Sequence, residues 1–271
     1  MALATLRLMH PIEQLRYIAR SGDVDAASLA VEAAEALADL AREPRALVPA
    51  CRRLLEFHPS AGPLWWVCAE ILAAADPAAA ARRSARLLVE DPSAEELAGE
   101  LPGGARIAAA CTPMIVEALA ARPDLRGALV GGVLALRHGL RAIGGGFNGG
   151  ADMVGATPDE APAACAGAVV VLLEPEAAGP SGVLLGSGSS TLARAAVAAG
   201  VPLWLVCGVG RILAEPLFAA CAARAEDERV LPASAIARVV GPVGAAPGPE
   251  ALAAGGSGGA VPPELLYRPR P

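Results

Sequence analysis

The sequence predicts an α/β protein: an all-helical N-terminal domain over residues 1–100, then a Rossmann-like C-terminal domain with a mostly parallel sheet over residues 101–271. Three observations predict this. Apolar residues recur at helical spacing through the first hundred positions. A Pro-Gly-Gly break at Pro102, Gly103 and Gly104 is followed by short, uninterrupted apolar runs. The run ending at Leu173, the helical stretch after the glycines and serines near 188, and the run 201–207 stand in strand–turn–helix–strand order, which makes a right-handed βαβ crossover.

In chain order, residues 12–42 read as helix. Ala26, Leu29, Ala30, Ala33, Leu37 and Leu40 form an apolar stripe, with Asp25, Glu32, Glu35 and Asp39 on the polar side, and Pro44 ends it. A second helix covers 46–57. His58-Pro59-Ser60-Ala61-Gly62-Pro63 is a break, and helices follow over 64–75 and 77–89, the latter with Asp76 as N-cap and Pro77 at its first position. Residues 106–111 fit a buried strand, and Thr112-Pro113 starts a helix to about 121. Residues 127–136 fit strand or helix equally, 144–150 are glycine-rich loop, and 152–156 form a strand followed by a short helix begun by Thr157-Pro158. Residues 168–173 are continuous and β-branched, as in a strand covered on both faces. A helix over 190–199 ends at Gly200. Residues 242–259 are rich in Gly, Ala and Pro and read as a mobile loop.

Composition excludes several chemistries. The chain has 271 residues, 54% hydrophobic but only 3% aromatic, so Ala, Val and Leu must build its core. All 22 basic residues are arginine; without lysine there is no Schiff base and no P-loop lysine. The net charge of −6 and the absence of a basic run argue against direct nucleic-acid binding. The N-terminus lacks signal-peptide order and no uncharged stretch reads as a membrane span, so a soluble, cytoplasmic protein is expected. The six cysteines form no C-x-x-C pair and read as free thiols. The three histidines show no ligand spacing, so neither a metal site nor a cofactor is expected.

Three local features can carry chemistry. Gly186, Ser187, Gly188 and Ser189, with Ser190 and Thr191, precede a helix: small residues let backbone N–H groups reach an anion, the hydroxyls can add donors, and the helix dipole adds favourable charge. The same stretch also fits a flexible turn with a Ser/Thr cap. It lacks the third glycine and following acid of a dinucleotide fingerprint. Glu174 and Glu176 close a strand at the sheet edge where such folds bind ligands, and burial there suits a general acid or base, though solvated turn carboxylates read the same way. Cys111 closes another strand just before a helix, whose N-terminus would lower and activate its thiol; a packing thiol is the alternative. No G-x-S-x-G elbow is present.

Several motifs together resemble the family of the α, β and δ subunits of translation initiation factor 2B, methylthioribose-1-phosphate isomerase and ribose-1,5-bisphosphate isomerase. The stretch from Glu174 to Val183 resembles that family's G-A-D-A-V-x-x-D-G-V, and its continuation through Gly188-Ser189 to Gly200-Val201-Pro202 resembles the N-K-I-G-T helix and G-V-P strand. Arg106 to Thr112 is similar to R-I-L-T-H-C-N, His58-Pro59-Ser60-Ala61 to R-P-T/S-A, and Pro262-Pro263-Glu264-Leu265 to the closing P-P-E-L. Arg122-Pro123 echoes an S-R-P segment. The resemblance implies aldose–ketose isomerisation of a phosphorylated sugar with Cys111 and Glu176 as the acid/base pair. It also implies a substrate site at His58, Ser60, Thr112, Arg122, Gly186, Ser187, Gly188 and Ser189. The ligand class would be a phosphorylated sugar or nucleotide, and the assembly a homodimer. A non-catalytic ligand-sensing or assembly role, as in the regulatory subunits, is the alternative. Three family positions differ here: His58 stands for Arg, and Leu185 and Gly186 for Asn and Lys.

Overall fold

A computed structural model describes residues 25–144, 151–224 and 229–266. The first half of the predicted helix 12–42 and most of the glycine-rich loop 144–150 lie outside the described residues. Five helices come first: α1 (Ala26–Leu40), α2 (Pro44–Phe57), α3 (Gly62–Ala73), α4 (Pro77–Val89) and α5 (Ser93–Glu100). The Asp25 carboxylate caps α1, accepting from the amides of Ala27 and Ser28 at 3.1 and 3.0 Å, and Asp76 caps α4 through the Ala79 amide. These bonds satisfy amides that no carbonyl inside the helix can reach. Alanines at 30, 33, 34 and 36, all fully buried, give α1 a small-residue face that packs on α3 and α4. Trp65 is the large filler of this layer; its indole Nε1–H donates to the Pro59 carbonyl at 2.9 Å, so burial leaves no orphan donor.

The second half follows as β1 (Arg106–Ala110), α6 (Pro113–Ala120), β2 (Arg126–Val130), α7 (Val133–Gly144), β3 (Asp152–Ala156), a 3₁₀ turn and α8 (Ala161–Cys165). Next come β4 (Val170–Leu173), β5 (Ala177–Gly179), β6 (Gly182–Leu184), α9 (Ser187–Ala199), β7 (Leu203–Val206), α10 (Glu215–Ala222) and β8 (Val230–Pro232). The described chain closes with β9 (Arg238–Gly241), β10 (Gly244–Pro247), α11 (Gly248–Gly256) and α12 (Pro263–Leu266). The main sheet runs β10-β9-β7-β4-β1-β2-β3, parallel throughout except for β10. From β1 the chain winds outward to β2 and β3, then returns to β4 and winds the other way. Neighbours β1 and β4 thus flank the point where strand order reverses, and such sheets bind ligands beyond their C-terminal ends there. Fully buried Ile107, Val171, Leu172 and Leu205 at the sheet centre match the prediction of strands covered on both faces.

Three expectations are corrected. After β4 the chain does not run straight to a turn: it forms the hairpin β5–β6, which with β8 makes a small antiparallel sheet. Helix α9 begins at Ser187, not near 190, and ends at left-handed Gly200 (φ 67°). Residues 242–259 are not simply loop, because β10 pairs antiparallel with β9 and α11 packs beside it. The ambiguous 127–136 segment divides into the end of β2 and the start of α7. Packing also crosses the N-terminal/C-terminal divide. Ala177, Leu184, Leu213, Leu217 and Phe218 belong to the helical layer's core, whereas Leu97 and Ala98 of α5 belong to the sheet's. No described helix is long and apolar enough to cross a membrane.

Candidate functional site

At the C-terminal ends of β1 and β4 lies a cleft with two adjoining compartments of about 370 and 360 Å³, which share Thr112, Glu176, Gly186 and Ser189. The first compartment contains Cys111, Glu176 and the start of α9. Cys111 extends the β1–β2 ladder, its amide donating to the Val130 carbonyl at 2.8 Å. Its thiol donates to the Ala135 carbonyl in the first turn of α7 at 3.2 Å. A Cβ on Gly139 would stand 2.7 Å from the sulfur, so that glycine makes room for it. Desolvation pushes the Cys111 thiol up, and the opposing effect of the Gly139 amide is smaller. That direction is opposite to the lowering expected from a helix N-terminus, and the sulfur faces the Ala135 carbonyl of α7.

Glu176 is fixed through its backbone: its amide donates to the Leu184 carbonyl and its carbonyl accepts from the Gly62 amide, both at 2.9 Å. A Cβ on Gly62 would come within 2.5 Å of that carbonyl oxygen, so the Ala61-Gly62 turn docks here only as glycine. The Glu176 Oε2 lies 2.5 Å from Arg229 Nη2, while Arg229 Nε donates to the Leu185 carbonyl at 2.8 Å. Glu176 Oε2 is buried and its partner is Arg229, as a close ion pair.

Gly186 is the N-cap of α9 and offers no capping side chain. The first helical bond runs from the Ser190 amide to the Gly186 carbonyl, so the amides of Ser187, Gly188 and Ser189 precede any intrahelical partner and open on the cleft. With the helix dipole this is an anion site in waiting. The expected hydroxyl contribution is narrower than the sequence suggested: Ser190 Oγ and Thr191 Oγ1 donate back to the Ser187 carbonyl at 2.8 and 3.3 Å.

The second compartment lies toward the helical layer, where His58 and Ser60 meet Thr112, Glu174 and Arg211. Glu174 and Arg211 are 6% and 4% exposed and form a buried ion pair through Oε1 and Nη2. Arg211 also donates from Nη1 to the Pro175 carbonyl at 2.5 Å and lies 3.8 Å from Asp25 Oδ1. Glu174 Oε2 and Thr112 Oγ1 are buried with no hydrogen-bond partner. Thr112 is the N-cap of α6 by position, yet its side chain makes no cap bond.

The predicted substrate residues thus divide. His58, Ser60, Thr112 and the residues from Gly186 to Ser189 border the cleft together with Cys111 and Glu176. Arg122 does not. It sits at the other end of the sheet, at the turn between α6 and β2, and its guanidinium is taken up by Asp124 at 2.8 Å and by the carbonyls of Ala98, Leu101 and Pro102. Sequence reasoning missed Arg211 and Arg229, the two arginines that border the cleft. No pattern around either residue marks it. Among the described residues no group of His, Cys, Asp and Glu could hold a metal ion.

No family model and no curated protein matches the chain by sequence. Solved structures do match by shape. Translation initiation factor eIF-2B from Pyrococcus horikoshii superposes with a TM-score of 0.72 at 15% identity, covering 89% of this chain and 98% of that one. The β subunit of eIF2B from Chaetomium thermophilum gives 0.72 at 13% identity, covering 97% of each. 5-Methylthioribose 1-phosphate isomerase from Pyrococcus horikoshii gives 0.57 at 14% identity, covering 89% and 85%. The chain has the fold of these proteins, the one its motifs suggested.

Proposed function

We propose that the cleft binds a phosphorylated sugar and interconverts its aldose and ketose forms. The observation that carries this is the meeting, in one compartment at the reversal point of the sheet, of a thiol, a carboxylate and a helix N-terminus with free amides. The amides and Arg229 would take the phosphate. In the aldose-to-ketose direction, Glu176 removes the proton from C2 while the Cys111 thiol protonates the C1 carbonyl oxygen, giving an enediol. The thiolate then takes the proton of the C2 hydroxyl as Glu176 returns its own proton to C1, and both groups are regenerated. A thiol pushed up by desolvation suits a donor to a developing oxyanion.

A second reading is favoured by one observation: the two reactive groups are already engaged, the thiol with the Ala135 carbonyl and the carboxylate with Arg229. That arrangement suits a non-catalytic protein that senses a ligand, and such a role fits the stronger likeness to the initiation-factor subunits. A thermal-shift screen against ribose phosphates, methylthioribose phosphate and nucleotides separates the readings when followed by turnover assays. The isomerase reading expects stabilisation by a phosphosugar, with Cys111→Ser and Glu176→Gln each cutting turnover by about 10²–10⁴-fold while binding persists. Binding without turnover, or a shift with a nucleotide alone, selects the sensor, and no shift with any ligand of the screen sinks both. A cytoplasmic homodimer completes the proposal; sedimentation at micromolar concentration checks the dimer.

A further inference from the structure

Arg229 holds the proposed base and the approach to α9 with one side chain. It stands just before β8, and its carbonyl accepts from the Leu185 amide at 2.9 Å. Its Nε donates to the Leu185 carbonyl at 2.8 Å, and its Nη2 lies 2.5 Å from Glu176 Oε2. Leu185 directly precedes Gly186, the N-cap of α9, so the guanidinium is fixed beside the amides that would take a phosphate. Among the described residues Arg229 is the only cation lining this compartment, and the chain has no lysine to add one. Glu176 Oε2 is buried, yet the Glu176 side chain is 31% exposed and that of Arg229 21%. The other carboxylate oxygen, Oε1, lies against the N-cap: a Cβ on Gly186 would stand 3.3 Å from it. A phosphate on the α9 amides would thus arrive beside the Glu176 carboxylate, and one guanidinium must answer two anions.

Resting on the isomerase reading, we propose that Arg229 is a positioning residue shared between base and substrate, and that the substrate's phosphate releases the base. In the free protein the guanidinium holds Glu176. With a phosphate dianion on the α9 amides, the Nη2 hydrogens turn from the carboxylate to the phosphate, while Nε keeps the Leu185 carbonyl. A dianion offers the planar fork more charge than a carboxylate does. No proton moves in this exchange, because arginine stays charged. A carboxylate beside a guanidinium is favoured in its charged form and takes a proton less readily; once the guanidinium turns away, it is the better base for the C2 proton. The chemistry also needs a C1 carbonyl, so the substrate carries its phosphate away from C1. The substrate class is then an aldose phosphorylated at its far end, and an aldose without phosphate meets a restrained base. Binding of a remote group is in this way used at the reacting centre, and a truncated substrate loses turnover as well as affinity.

The test divides ribose 5-phosphate into two pieces, D-erythrose and phosphite dianion, and follows ketose formation by the full chain where the rate no longer depends on pH. The native protein should isomerise ribose 5-phosphate, and phosphite should raise its kcat/KM for erythrose by about 10²-fold or more. Arg229→Met should abolish that acceleration and turn over erythrose alone several-fold faster than the native protein, because its base is no longer held. A purely structural Arg229 would lower both rates and leave the acceleration in place. Arg229→Lys keeps the charge but not the fork, so it should show both changes in smaller measure and serves if Arg229→Met fails to fold. An acceleration that survives in the variants, or one lost with no gain on erythrose alone, overturns this inference and leaves isomerisation standing. So does a native protein that isomerises ribose 5-phosphate without any response to phosphite on erythrose. No turnover of any pentose 5-phosphate overturns both.

Discussion

The two ends of the parallel sheet each hold an arginine locked to a carboxylate, and they differ in what is left over. At the N-terminal end, Arg122 is spent on Asp124 and three carbonyls, and Asp124 Oδ2 also accepts from the Gly104 amide at 2.8 Å. Every partner given there for Arg122 and Asp124 is a protein group. At the C-terminal end, Arg211 and Arg229 hold Glu174 and Glu176, yet Glu174 Oε2, Thr112 Oγ1 and the first amides of α9 stay unclaimed. Residue types alone do not distinguish the two ends; the balance of donors and acceptors left over does.

The largest expected effect tests the buried end. Arg211→Met strands Glu174 inside the protein and should destabilise by about 3–5 kcal/mol, since breaking a buried pair on one side leaves an uncompensated charge. Chemical denaturation measures it, and Arg211→Met with Glu174→Gln should recover most of the loss. If the single variant loses under about 1 kcal/mol, far below that range, the pair is not the closed unit described.

A smaller effect belongs to the clip. Arg122→Ala should cost about 1–2 kcal/mol through its lost carbonyl bonds and leave phosphosugar affinity unchanged; a change in affinity would return Arg122 to the site. The clip also carries a pH signature. The Arg122 guanidinium first, and the Gly104 amide second, hold the Asp124 carboxyl well below the usual carboxylate range. A folded-state pKa below the unfolded one gives stability that is complete above the unfolded value, about 3.9, and lost as pH falls through the depressed one. Against Asp124→Asn, the native protein should keep a constant advantage above about pH 5 that shrinks below about pH 4. A difference flat down to strong acid would show that Asp124 is not coupled to folding.

The smallest effect is a rate. Of the six cysteines, Cys111 is half-buried and the other five are buried; desolvation pushes Cys207 and Cys221 up to about 12. Iodoacetamide should modify Cys111 first, slowly at neutral pH and faster as the pH rises, and a bound phosphosugar should protect it. Fast modification at pH 7 would contradict the protonated thiol that the proposed acid role needs.

Much of this was legible in the residues. Asp76 with Pro77 starts its helix through a side-chain cap and a fixed proline φ, Pro113 through its fixed φ, and the run into Leu173 through β-branching, so these elements appear where expected. That Cys111, Glu176 and the Gly186–Ser189 turn border one cleft follows from each lying next to a strand end or helix start. The β5–β6 hairpin and β10 were not legible. Ala177-Ala178-Gly179 and Gly244-Ala245-Ala246-Pro247 have no intrinsic strand preference and become strands only through their partners.

By itself, then, the sequence determined the helical first half, the βαβ order and the carboxylate and thiol at the strand ends, since those follow from interactions between neighbours along the chain. Only the tertiary structure decided which arginines border the cleft. Arg211 and Arg229 reach Glu174 and Glu176 from distant segments, and Arg122 is held at the far end by Asp124 and the carbonyls of Ala98, Leu101 and Pro102. A guanidinium on a long side chain binds whatever carboxylate folding brings within reach, and that distance is not written in its own neighbourhood.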